Sequence, residues 1–201
     1  MRSIHTLVDM ALQGQDHMGW YGEAQSDIAI ACDILGVDAV AFTEIMAVTS
    51  PRVSVTRNVK YAILLTDKPF VKPSGMLGNV FDSYMHWLDT GKIRGQKTRP
   101  FADALLGDHT AIAIDVWMCR ALRIPQLSLR RNDVFARATQ HIADCADYLG
   151  WWNCEAQAAI WATAVRAADR NVMTVSAADL ALAYVTGMPE PASVQRTLEY
   201  A

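Results

Sequence analysis

A chain of 201 residues with 52% apolar and 19% charged residues is long and apolar enough to bury a continuous core without disulfides or structural metals. Neither a peptide-sized module nor a disordered or linker-rich chain fits that composition. The net charge of −3 is unevenly laid down: residues 52–137 hold 14 of the 18 Lys and Arg and 7 of the 21 Asp and Glu, a net of +7, while the flanks hold 4 basic and 14 acidic residues, a net of −10.

Such segregation predicts a basic face presented to a polyanion, with acidic flanks that limit indiscriminate binding. The apolar runs 28–32 and 37–42 are broken by Asp33, Asp38 and Glu44 well short of the roughly 18 apolar residues of a membrane span, so no membrane partner is expected. Asp9 stands where a leader would carry its apolar core, which makes the cytoplasm the expected location. Cys32, Cys119, Cys145 and Cys154 form no Cys-x-x-Cys pair, and His86, His109 and His141 lack ligand spacing. Buried reduced thiols are expected, with no metal and no cofactor.

In chain order, Trp20, Ala24, Ile28, Ala31 and Leu35 recur at helical spacing and predict a helix over 17–35 that stops at Gly36. Asp38 is an N-cap candidate for a helix through Val48, ended by Ser50-Pro51, because the residue before Pro is pushed out of the α region. Helical spacing returns over 52–66 and 76–88, and again over 97–106, where Pro100 is tolerable only in the first turn. Residues 111–114 read as a short extended apolar piece, and Asp115 as the N-cap of a helix through Ala121. Helices over 128 or 132–149, 153–168 and 176–185 complete the chain. With no sustained period of two, the expected class is all-α, about nine or ten helices. The expected organisation is one bilobal domain over 1–201, with one lobe over about 38–122 and the other over 1–37 plus 123–201.

The most specific stretch is Ile93-Arg94-Gly95-Gln96-Lys97-Thr98-Arg99-Pro100-Phe101, followed by Gly107-Asp108 and Ile114-Asp115-Val116-Trp117. A glycine turn at a helix N-terminus directs backbone N–H groups at an anion, and Lys97 stands beside it. Gly95-x-Lys97-Thr98 with a following helix, an apolar run and Asp115 resembles the helix-hairpin-helix DNA glycosylase superfamily, that of endonuclease III and the 8-oxoguanine glycosylases. The string Ser50-Pro51-Arg52, Asn58, the Gly95 motif, Asp115 and Gln157-Ala158-x-x-Trp161 is similar to small phage-encoded proteins sharing that fold, which would place the chain in a host-cell cytoplasm. Ile93 stands where the family hairpin usually has Gly, Trp117 where a His often follows the Asp, and the iron–sulfur cysteines are absent.

The resemblance implies a two-lobed helical bundle that binds DNA and flips a base. Lys97 would attack the sugar carbon and form a Schiff base, and Asp115 would support charge on the sugar. DNA would be held by Thr49, Ser50, Arg52, Arg57 and Asn58 from one turn and by Arg94, Gly95, Gln96, Thr98 and Arg99 from the other. Trp117 and Trp161 would line the base pocket. Three activities remain open on these residues: an N-glycosylase (a hydrolase, with or without lyase action), a base-hypermodification transferase, and a DNA-binding protein without turnover.

Overall fold

The computed structural model describes residues 1–168, 170, 172 and 176–190. These residues form ten α-helices and no strand. The order is α1 Ile4–Gln13, α2 Trp20–Leu35, α3 Ala39–Thr49, α4 Val55–Asp67, α5 Gly78–Thr90, α6 Thr98–Leu105, α7 Val116–Leu122, α8 Asn132–Leu149, α9 Asn153–Arg166 and α10 Ala177–Thr186, with short 3₁₀ turns at Gln15–His17 and Gln126–Arg130. The all-α reading therefore holds.

The starts follow capping chemistry. Asp38 and Ser54 accept the backbone N–H of Ala41 (2.7 Å) and Arg57 (3.4 Å), fixing the first turns of α3 and α4. Periodicity alone would start α4 at Arg52, but Arg52 is left-handed (φ 61°), which breaks the helix until Ser54 restarts it. Pro100 is the third residue of α6, where its missing N–H has no helical acceptor to lose. Besides the 3₁₀ turn at Gln15–His17, two elements are absent from the periodicity reading. One is α1, capped by Ser3 onto the Thr6 N–H; the other is the 3₁₀ turn anchored by Leu129.

The chain divides into two compact units, 1–23 with 107–172 and 24–106 with 173–201, where the sequence draws its lobes at 37/38 and 122/123. Residues 191–201, counted with the second lobe, lie outside the described residues.

The first unit is built on α9, against which α1, α7 and α8 pack. Nine of its 14 residues are buried and most of these are alanines, so neighbouring helices approach closely. Leu7, Ile114, Met118, Leu122, Ile142 and Ile160 fill the space between them. Cys119, Cys145 and Cys154 are buried and reduced here, and desolvation pushes the first two thiols up to about 11.

The second unit is built on α3, whose residues 42, 43 and 45–49 are all buried, so its apolar surface has no polar face of any width. α4, α5 and α6 pack around it, and α10 packs on α4. The two helices flanking the Gly95 turn are thus both carried by α3.

Candidate functional site

Two polar clusters hold the residues singled out by the motif, one in each unit.

In the second unit the α3–α4 corner and the start of α6 meet side chain to side chain. The Lys97 amine donates to Ser50 Oγ at 3.1 Å and lies 5.4 Å from the centroid of the Phe101 ring, a cation–π distance. Lys97 is half-buried and occupies the N-cap position of α6. The turn before it depends on Gly95 twice: its φ is 106°, and a Cβ there would stand 2.9 Å from Thr98 Oγ1. That hydroxyl closes the turn by donating to the carbonyl oxygens of Arg94 and Gly95. Gly-x-Lys-Thr is therefore a self-consistent local device. Glycine makes the bend, threonine ties it, and lysine emerges beside Ser50.

The predicted DNA contacts separate by burial. Arg52, Arg57 and Arg94 are exposed and carry no ion pair among the described residues, and Gly95 and Gln96 are exposed with them. Arg52 is one of two non-glycine residues with positive φ among the described residues. That backbone cost projects a guanidinium from the tip of the corner. Thr49 and Asn58 require correction. They are 0% and 4% exposed, Thr49 Oγ1 donates to Asn58 Oδ1 (2.7 Å) and Ile45 O (2.8 Å), and Asn58 Nδ2 donates to Met46 O (3.0 Å). Their polar atoms satisfy the last carbonyls of α3 and fix the corner; they present nothing to a ligand. Ser50 and Thr98, each 7% exposed, act toward Lys97 and toward the Gly95 turn. Arg99 is answered by two carboxylates, Asp103 at 2.8 Å and Glu44 at 3.9 Å, and Glu44 also accepts Trp87 Nε1–H at 2.8 Å. Its charge is met within the fold.

Asn58→Ala is accordingly expected to cost about 1–3 kcal/mol in urea unfolding, because Met46 O and Thr49 Oγ1 lose a buried partner. DNA affinity per folded molecule should not change. A loss of affinity at unchanged stability would restore Asn58 to the interface.

In the first unit Asp115 caps α7. Its Oδ1 accepts Trp117 N–H (2.8 Å) and Met118 N–H (2.9 Å), and its Oδ2 accepts the Trp161 indole N–H (3.1 Å). The carboxylate is half-buried and oriented by three donors. Trp161, read as a base platform, thus holds Asp115, and Trp117 lies under the Arg120 guanidinium, 4.3 Å from its ring.

One turn before Trp161 on α9, Gln157 Oε1 accepts the Tyr21 hydroxyl at 2.6 Å. Both side chains are buried, and burial, then the Asp115 and Cys154 charges, pushes the Tyr21 phenol well above its ordinary value. Nothing in the residue types around Tyr21 signals this pair, since its two members lie 136 residues apart.

Residues 1–169 match a family of unknown function, DUF7178. The chain belongs to that family. No curated protein and no solved structure matches the chain. The DUF7178 match spans α1 to α9, and so includes the Gly95 turn, Lys97, the α3–α4 corner, Asp115 and the Tyr21–Gln157 pair, while α10 lies outside it.

Proposed function

We propose that this chain binds DNA, flips a base and acts on it in the manner of a DNA glycosylase, with Lys97 as nucleophile and Asp115 as supporting carboxylate. The observation that carries the proposal is the seating of the Lys97 amine on Ser50 and Phe101, three residues after exposed Arg94 and beside the left-handed turn that projects Arg52. A lysine meant only for solubility needs no glycine turn, no hydroxyl acceptor and no ring beneath it. In the proposed step the Nζ lone pair bonds C1′ as the N-glycosidic bond breaks. The bonding pair leaves with the base, which takes one amine proton, and the ring oxygen takes the second as the C1′–O4′ bond breaks, leaving a Schiff base.

The deciding experiment is nucleoside mass spectrometry after incubation with duplexes carrying damaged or modified bases. A released free base supports the glycosylase. An altered nucleoside retained in the strand means a transferase on the same residues, and intact DNA with firm binding means a protein without turnover.

Asp115 is tested separately. Asp115→Asn keeps one capping oxygen and should lower turnover more than stability. Asp115→Ala removes the cap and the Trp161 acceptor together and should cost about 1 kcal/mol or more in thermal unfolding. If both variants turn over as the wild type does, Asp115 is a helix cap and nothing else.

A further inference from the structure

Every cation of the unit built on α9 is an arginine: over 1–23 and 107–172 there are eight Arg and no Lys. Five of the eight fall between 120 and 137, against Asp133 alone. Asp133 takes Arg131 (3.0 Å) and Arg137 (3.3 Å). Arg123 and Arg130 are exposed and make no ion pair or side-chain hydrogen bond among the described residues, and Arg120 offers its outer face from above the Trp117 ring.

Two features mark this strip as more than a solvated face. Arg123 ends α7 in the left-handed conformation (φ 54°), at the position where α5, α8 and α10 each use glycine. It and Arg52 are the two non-glycine residues of positive φ among the described residues, and both are arginines. Arg2, set beside Arg123 by its N–H to Leu122 O (3.1 Å), has a buried Nε–H with no partner. It adds a further guanidinium beside Arg123 that no carboxylate answers among the described residues. The backbone under the strip is tied to the fold by Leu129 in the core and by Ser128 Oγ donating to Pro125 O at 2.6 Å.

We propose that Arg2, Arg120, Arg123 and Arg130, on the unit built on α9, form a phosphate-binding surface additional to the Lys97 cluster of the other unit, and that it contacts the phosphodiester backbone of duplex DNA. The assignment of the anion to DNA rests on the function proposed above. The guanidinium fork matches phosphate oxygens in pairs, which a lysine does not, and Arg120, Arg123 and Arg130 spread over eleven residues of chain, with Arg2 beside them, suit successive phosphates better than one small anion.

The test is fluorescence anisotropy of a labelled 30-base-pair duplex between 50 and 300 mM salt, with wild type, Arg123→Ala/Arg130→Ala and Arg52→Ala/Arg94→Ala. Neither arginine of the first pair has a partner among the described residues, and thermal unfolding checks that the variant folds. The Arg123/Arg130 variant is expected to lose about tenfold or more in affinity at 100 mM salt and to lower the slope of log K against log salt by about 1.8. Wild-type binding with an unchanged slope in that variant overturns the second surface, and leaves the proposed function standing if the Arg52/Arg94 variant is weakened. No binding by the wild type overturns both. Weakened binding without any product or trapped complex keeps the surface and overturns the catalysis.

Discussion

Lys97→Gln is expected to abolish the covalent complex that borohydride traps on a duplex carrying an abasic site, while leaving DNA binding largely intact. The amide has no nucleophilic lone pair on nitrogen, so the C1′–N bond cannot form, and a drop in turnover of at least about 1000-fold follows when a nucleophile is removed. The fold tolerates the change. The hydrogen bond of Lys97 to Ser50 Oγ and its contact with the Phe101 ring are together worth about 1–2 kcal/mol. Lys97→Arg separates charge from chemistry: it keeps the cation over Phe101 and the pull on phosphate, yet a guanidinium does not form an imine under these conditions. Binding with no trapped complex is the expected result for both variants. Trapping that persists in Lys97→Gln would move the nucleophile to another amine, and trapping absent from the wild type would remove the Schiff-base step from the proposal.

Local rules were readable where one residue does one job. Asp38 caps α3, Asp115 caps α7 and Gly95 makes a left-handed turn, as residue type and spacing predict. What could not be read is what distant chain does to a polar residue. Thr49 and Asn58 have the chemistry of a DNA contact and the chemistry of a helix-end hydrogen bond. Only the packing of α4 under the end of α3 selects the second. Arg99 reads as a phosphate contact until Glu44, 55 positions earlier, arrives beside it. α1 has Leu7, Val8 and Ala11 at helical spacing, but ten residues are too few to stand as a helix without the α9 surface they cover. The basic stretch 52–137 is continuous in sequence and divided between the two units. Residues 52–106, with 9 basic and 4 acidic, belong to the unit of Lys97, and residues 107–137, with 5 basic and 3 acidic, to the unit of Asp115. Charge counting therefore finds the cations and misses that they are shared between two compact units.

The largest expected effect on stability comes from a residue with no side chain. Gly14 ends α1 and is buried against α9. A Cβ there would collide with the carbonyl oxygen of Ala159 and stand 2.9 Å from its carbon and 2.8 Å from Thr163 Oγ1. The first two are backbone atoms inside α9, so no rotamer change relieves the clash. The third belongs to a hydroxyl already bound to Met10 O at 2.7 Å, the bond that ties the end of α1 to α9. Gly14→Ala must therefore push two helices apart, and about 3 kcal/mol or more is expected, above the usual range for an added methyl because the obstacle is main chain. In a protein of this size that lowers Tm by about 10 °C. Gly22→Ala supplies the opposite sign: it lies inside α2, its φ is ordinary and a Cβ meets nothing within 4 Å. Removing a helical glycine there should stabilise by about 0.5–1 kcal/mol. The pair is measured in one series of thermal melts. If Gly14→Ala melts with the wild type, α1 does not seat on α9 as described. If Gly22→Ala melts lower, α2 is not a continuous helix through that position.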